Sequence, residues 1–478
     1  MAAKSTLNAK NLEGLGAERL AELLIEISTG NAAAKRRLRL ELAGAANPED
    51  VAKEVRKRLA TIARSRSFVD WQNQRALIED LEAQRSTIAD KIVKIDATEA
   101  FELMWRFLAL AESIYNRCDD SNGRVGEVFY DARMNLGELA KLAQPSPEKL
   151  ADQIYEALLR NSYSQYDGLI EVLSPSIGNE GLEHLKKRVI SLSKDITRRP
   201  PDKDRRKVGY GSAGSIYEDE FQESSRKWMV SSALRAIADA QGDVDAFINQ
   251  YDKKTRKVPV IAAEIAQRLL ASSRAEEALK VIETAEHRGE DQVTFEWEDA
   301  RINVFDALGR ATDAQEARWQ CFLKSLSIDH LRAYLQRLPD FDDEEALTKA
   351  LDYAQTVKSP HSALAFLINW PALDRAALLV LERSKELDGN LYELLTPAAH
   401  ILAGKYPLAA SLLLRTMIDY SLKNAKTTRY RHAAKHLMEC SSLSASIGDY
   451  QKFETHDVFV ERLKKEHGKK SGFWSLVK

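Results

Sequence analysis

Leu308-Gly309-Arg310-Ala311-Thr312-Asp313-Ala314 is the stretch on which the fold turns. A short polar turn closes one apolar-periodic segment, and four residues after its arginine a small residue opens the next helix. The same arrangement recurs along the second half of the chain. Its turn positions are Arg274, Arg310, Asp342, Asp374 and Lys405, and the matching positions are Ala278, Ala314, Ala346, Leu378 and Ala409. Successive turns lie 36, 32, 32 and 31 residues apart. Two antiparallel helices and their turns need about that length, and a small residue lets the second helix of a hairpin approach the first.

Outward from this repeat the chain reads as helix almost everywhere. Leu20, Leu23, Leu24 and Ile27 form one stripe at helical spacing, and Val51, Val55, Leu59 and Ile62 form another, preceded by the start signal Asn47-Pro48-Glu49-Asp50. Phe101, Met104, Trp105, Leu108 and Ala111 continue the pattern. The 21 glycines and 12 prolines are few for 478 residues, which favours long helices over hairpin-rich sheets. Ten prolines (48, 145, 147, 175, 259, 339, 360, 371, 397 and 407) fall where helices are expected to start or stop. No run alternates apolar and polar residues between turn signals, so the expected strand count is near zero. Leu308-Gly309-Arg310 and Ala403-Gly404-Lys405 resemble the tetratricopeptide inter-helix turn, without the full signature of that family. The expected fold is all-α. An N-terminal helical domain covers 1–196, a mobile loop or linker 197–216, and a tetratricopeptide-like α-hairpin solenoid 217–478. The linker assignment rests on TRRPPDKDRRKVGYGSAGS at 197–215, which has too much charge and too many breakers to build a core.

Composition narrows the function classes. At 44% hydrophobic and 30% charged residues the chain is an ordinary globular one. A net charge of −2 supplies no global attraction to nucleic acid or membrane. Three scattered cysteines, Cys118, Cys321 and Cys440, are no disulfide framework and suit a reducing, cytoplasmic setting. Residues 1–16 lack the apolar region of a signal peptide, and no apolar run is long enough to span a bilayer.

Several motifs invite chemistry, and each has a plainer reading. Gly209-Tyr210-Gly211-Ser212-Ala213-Gly214 matches G-x-G-x-x-G, but no strand-turn-helix context surrounds it, so a flexible loop is expected and no cofactor. His432, His436 and Cys440 fall at i, i+4 and i+8, a zinc-compatible spacing that lacks a nearby fourth ligand. They are weak metal candidates, and packing is the expectation. Asp119, Asp120, Asn122 and Gly123 hint at calcium but lack the loop spacing, so a capped turn is expected. No nucleophile, base and orienter can be assembled, and no catalytic residue is assigned.

Charge supplies the remaining candidates. Lys35, Arg36, Arg37, Arg56, Lys57, Arg58, Arg64 and Arg66 are candidate polyanion contacts, although interleaved Val55 and Leu59 mark this patch as the polar face of amphipathic helices. Residues 415–436 are dense in bases with one acid, Asp419. There Arg415, Tyr420, Lys423, Arg429, Tyr430, Arg431 and Lys435 are the candidate contacts for an acidic peptide, a phosphate or RNA.

Leu15-Gly16-Ala17-Glu18-Arg19-Leu20, Ala34-Lys35-Arg36-Arg37-Leu38, the run Ile62 to Trp71, and Met104-Trp105-Arg106-Phe107-Leu108 resemble a mainly proteobacterial, helical family of unknown function. The resemblance covers essentially the whole chain and implies an all-helical fold without supplying an activity. The C-terminal third, through Thr428-Arg429-Tyr430 and Ser471-Gly472-Phe473-Trp474, is similar to the helical region that follows the zinc finger in bacterial SWIM-type proteins. The finger's Cys/His ligands are missing here, so its nucleic-acid role does not carry over. The expected function is a non-enzymatic adaptor with a protein or peptide partner on a concave face. The alternative is a nucleic-acid-associated protein using the basic N-terminal helices.

Overall fold

The computed structural model describes residues 7–30, 34–35, 37–39, 42, 48–194, 200–201, 205–211, 214–286 and 294–477. About 74% of the chain is helical, which makes the fold all-α. Contacts divide it into two compact units, Met1–Thr255 and Arg256–Lys478.

The first unit runs α1 (Ala9–Glu13), α2 (Ala17–Ser28), α3 (Pro48–Arg64), α4 (Gln74–Asp90), α5 (Ala97–Leu108), α6 (Leu110–Tyr115), α7 (Arg124–Ala143), α8 (Pro147–Leu159), α9 (Leu169–Lys194), α10 (Glu218–Gln241) and α11 (Val244–Ile248). Start signals explain where several begin. Asp96 accepts from the backbone N–H of Thr98 and Glu99 at the head of α5, and Ser146 caps α8 with Pro147 in its first turn. The Val51, Val55, Leu59 and Ile62 stripe is buried as its spacing demands, and joins a core built around Phe101, Met104, Phe107 and Phe129. Val230, Ala233 and Ile237 of α10 belong to the same core. The earlier stripe behaves differently: Leu24 and Ile27 of α2 are exposed.

Strand among the described residues amounts to one small hairpin. β1 (Lys207–Gly211) and β2 (Gly214–Tyr217) pair antiparallel, with Gly211 opposite Gly214 and Tyr210 opposite Ser215. Val208, Tyr210 and Ile216 carry the β-favouring side chains, but too few and too interrupted by glycine to announce a strand. Beside the hairpin, Arg205 stacks on Tyr217 at 3.8 Å and donates to Asp219 at 3.1 Å. Two prolines also depart from the expected boundaries. Pro175 lies within α9, which is kinked at Gly178 (φ 60°, ψ 178°), and Pro397 lies inside a helix of the second unit.

The second unit runs α12 (Pro259–Ala271), α13 (Ala275–Glu283), α14 (Phe295–Ala307), α15 (Ala311–Ser325), α16 (Ile328–Leu335), α17 (Asp342–Thr356), α18 (Pro360–Asn369), α19 (Leu373–Arg383), α20 (Tyr392–Ala403), α21 (Pro407–Lys423), α22 (Tyr430–Ser444), α23 (His456–His467) and α24 (Ser471–Trp474). Consecutive helices pack together from α12 to α19 and from α20 to α23, and so do α12 with α14, α17 with α19, α18 with α20 and α19 with α21. All five turn positions of the sequence period lie at the start of the second helix of a consecutive pair: α13, α15, α17, α19 and α21. Ala278, Ala314, Ala346 and Ala409 are buried, as small residues at a close helix approach should be. Leu378 is the exception, 40% exposed, with Ala376 and Ala377 buried in its place. Here the helix begins at Leu373, before the turn residue Asp374, and each residue of offset turns a side chain by about 100° about the helix axis.

Candidate functional site

The cavity of interest lies within the second unit, among α20, α21, α22 and the short turns between them. It has a volume of about 470 Å³, in the range of small-molecule and peptide-anchor sites. Two local features of sequence build it. Gly389 lets the preceding loop lie directly on α21, since a Cβ there would sit 2.2 Å from the Thr416 carbonyl oxygen and 2.7 Å from Tyr420 Cβ. Pro397 has no N–H, so the helical bond that would close on the Glu393 carbonyl is missing where α20 lines the cavity. Tyr392, Pro397, Met417 and Ala433 give apolar wall, and the Thr396 hydroxyl in that wall donates only to the Met417 thioether at 3.4 Å.

The electrostatics are basic at one end. Arg429 lies over the rings of Tyr392 (4.7 Å) and Tyr420 (5.9 Å), and its Nη1 donates to Asn390 Oδ1 at 3.0 Å. Among the described residues no carboxylate pairs with it. Asp419, the one acid of the basic segment, is held by Arg462 at 3.0 Å instead. On α22, Glu439 gathers Lys435 (3.6 Å), His436 (3.3 Å) and His400 of α20 (3.8 Å). Burial lowers the pKa of His436 against the opposing pull of Glu439, which favours a neutral imidazole. In the first unit a depression beside Trp105 and Tyr166 is also charged, but its groups satisfy one another. There Asp152 takes His184 at 2.9 Å and Arg188 at 2.6 Å, bonds that hold its carboxyl below the usual range.

The structure sorts the candidate contacts of residues 415–436. Arg429 and Lys435 line the cavity with His432 and His436, while Lys423 and Arg431 are exposed and Tyr420 is half-buried beneath Arg429. Arg415 and Tyr430 are buried and offer no surface to a partner. Arg415 donates to the Glu454 carbonyl at 2.6 Å and lies over the Phe459 ring at 4.7 Å, and Tyr430 packs edge-on against Phe473. His400, Tyr392 and Glu393 were not singled out from sequence, because they come from a different helix.

Among the described residues no three His, Cys, Asp or Glu side chains are grouped to hold a metal ion. The i, i+4, i+8 set divides: His432 is exposed, His436 turns to Glu439, and Cys440 is fully buried against the Ser411 carbonyl (3.7 Å). Burial pushes the Cys440 thiol up to about 11. Asp120 caps α7, accepting from Val125 N (2.8 Å) and Gly126 N (2.9 Å), and Asn122 bonds Gln74. Gly209, Gly211 and Gly214 belong to the hairpin.

The N-terminal basic patch is neutralised in part, along α3. Arg56 pairs with Glu99 and Arg58 with Asp80, while Lys53 takes Asp50 at 2.9 Å and Lys57 takes Glu54 at 3.9 Å. Arg64 and Arg66 are exposed without a carboxylate partner among the described residues, as are Lys35 and Arg37. Arg36 lies outside the described residues.

Residues 2–476 match a family described as a family of unknown function, DUF6880, and the chain belongs to it. No curated protein and no solved structure matches the chain.

Proposed function

We propose that this member of the family is a non-enzymatic scaffold: a tetratricopeptide-like solenoid of helical hairpins in its C-terminal half, binding an acidic segment of a protein partner. The observation that carries the reading is the coincidence of the five sequence turns with five second helices, four of them with a buried alanine at the matching position. Stacked hairpins of this kind leave an extended face for a partner. The similarity of the C-terminal third to the helical region of SWIM-type proteins goes with it, as does a bacterial, cytoplasmic setting in which three buried cysteines stay reduced. Among the described residues no helix is long and apolar enough to cross a membrane. Lys423, Arg431 and Lys435 are exposed near one another in sequence and Arg429 adjoins them, so an acidic segment is the complementary partner. The test is quantitative affinity capture from the native host with wild type and Lys423→Glu/Arg431→Glu. The reading expects one or more acidic proteins to be lost from the variant while its circular dichroism is unchanged. An unchanged set of captured proteins would refute it.

The alternative, nucleic acid, keeps one supporting observation. Arg64 at the end of α3 and Arg66 just after it lead into a loop that exposes Phe68 and Trp71 at 70% and 74%, a basic and aromatic pairing suited to unstacked bases. Two unpaired guanidinium groups release few counterions, so the salt slope would be only about −1.4 for a single strand. The appropriate variant is Arg64→Gln/Arg66→Gln. Changing Arg58 would disturb the pair with buried Asp80 and confound binding with folding.

A further inference from the structure

We propose that the cavity between α20, α21 and α22 is a binding site for a small organic carboxylate with an aromatic or compact apolar body. The inference goes beyond the scaffold reading and does not depend on it. Four observations converge. The cavity, about 470 Å³, is large enough for such a ligand and is part of the folded unit, held open by a loop that only a glycine at 389 permits. Its basic end is Arg429, which has no carboxylate partner among the described residues and is fixed in place by Tyr392, Tyr420 and Asn390. A guanidinium already oriented by stacking loses little freedom on binding, and its planar fork matches a carboxylate. Lys435 adds positive charge, whereas Glu393 is the single carboxylate of the lining. Finally, Tyr392, Pro397 and Met417 supply apolar contact for the body of the ligand, and the oxygen of the Thr396 hydroxyl, which donates to the Met417 thioether, can accept from a ligand hydroxyl.

The charge pattern decides against a cationic ligand. An ammonium group would meet Arg429 and Lys435, with Glu393 the one carboxylate of the lining to offset them, because Glu439 is already engaged by Lys435, His436 and His400. A fully apolar ligand would leave the cavity's polar groups without new partners.

The experiment is calorimetric titration of the full chain with benzoate, 4-hydroxybenzoate and phenylacetate, with benzylamine and benzyl alcohol as charge controls. The expected result is 1:1 binding of at least one carboxylate, and binding of neither control. Arg429→Gln should weaken binding tenfold or more, since it removes a charge-assisted pair. Arg429→Lys, which keeps the charge and loses the fork, should recover only part of it. Lys464→Gln, exposed on α23, should leave affinity unchanged. Circular dichroism of each variant checks folding. Failure of all three carboxylates to bind, equal binding of benzylamine or benzyl alcohol, or full affinity in Arg429→Gln would overturn the proposal. None of these results bears on capture by Lys423 and Arg431, so the two readings fail separately.

Discussion

Replacing Gly389 with alanine should destabilise the second unit, whereas the same change at Gly404 should not. A Cβ at 389 would lie 2.2 Å from the Thr416 carbonyl oxygen and 2.7 Å from Tyr420 Cβ, both parts of α21 that cannot rotate aside. Restoring ordinary contact requires the 387–391 loop to move by about 1 Å, and forced overpacking of that kind costs about 1–3 kcal/mol. The lost backbone freedom of the unfolded glycine returns about 0.4–1 kcal/mol, leaving a net loss of up to about 2.6 kcal/mol. Gly404 caps α20 with φ −70°, and a Cβ there meets nothing within 4 Å, so its replacement should be neutral or slightly stabilising. In a unit of this size a loss near 2 kcal/mol lowers the melting temperature by about 4–8 °C. Differential scanning calorimetry of both variants reads the contrast directly. Gly389→Ala melting with the wild type, or Gly404→Ala melting as far below it, would refute the close-packed loop and with it the shape assigned to the cavity.

Other consequences follow from burial and pairing. Asp80→Ala strands Arg58, whose side chain is only 25% exposed, and should cost the first unit about 2–3 kcal/mol in urea unfolding. All three cysteines are buried, with Cys321 pushed up to about 12 and Cys440 to about 11, so the folded protein should resist a thiol reagent near pH 8 and react at three sites once denatured. His436 has a folded pKa below its ordinary value through burial, so protons bind the unfolded chain more readily. Its contribution to stability is present above about pH 6.5 and is lost as the pH falls below it. His436→Gln should flatten that acid loss, with Glu439, Lys435, His400 and His432 still facing the site. A steeper loss in the variant would show the opposite sign.

Much of the architecture was legible because local signals agreed. The buried stripes of α3 and α5, the start of α3 at Pro48, and the period of 31–36 residues all follow from spacing along one helix or one hairpin. The hairpin at 207–217 was hidden because its few β-favouring side chains are separated by glycines inside a charged stretch. Reading bases without regard to helix face misplaced Arg415 and Tyr430. Arg415 shares the buried stripe of Leu408, Ser411, Leu412, Ile418 and Leu422, and Tyr430 shares that of Ala433, Ala434, Leu437 and Cys440. Those stripes were present in the sequence, at i, i+3, i+4 and i+7. The cavity was not legible in the same way. Its basic wall comes from 428–436 and its apolar wall from 392–400 and Met417, and no local pattern announces which helices will face one another. Gly389 and an internal Pro397 were the available hints.

The central claim, that the C-terminal unit is a scaffold face for an acidic partner, is tested most directly by site-specific photocrosslinking in the native host. A photoreactive residue at 423 or 431 is compared with one at exposed Arg75 of the first unit. The scaffold account predicts that 423 and 431 crosslink the same acidic protein and that 75 does not. Crosslinks from 423 and 431 to unrelated proteins, or the same product from all three positions, would contradict it.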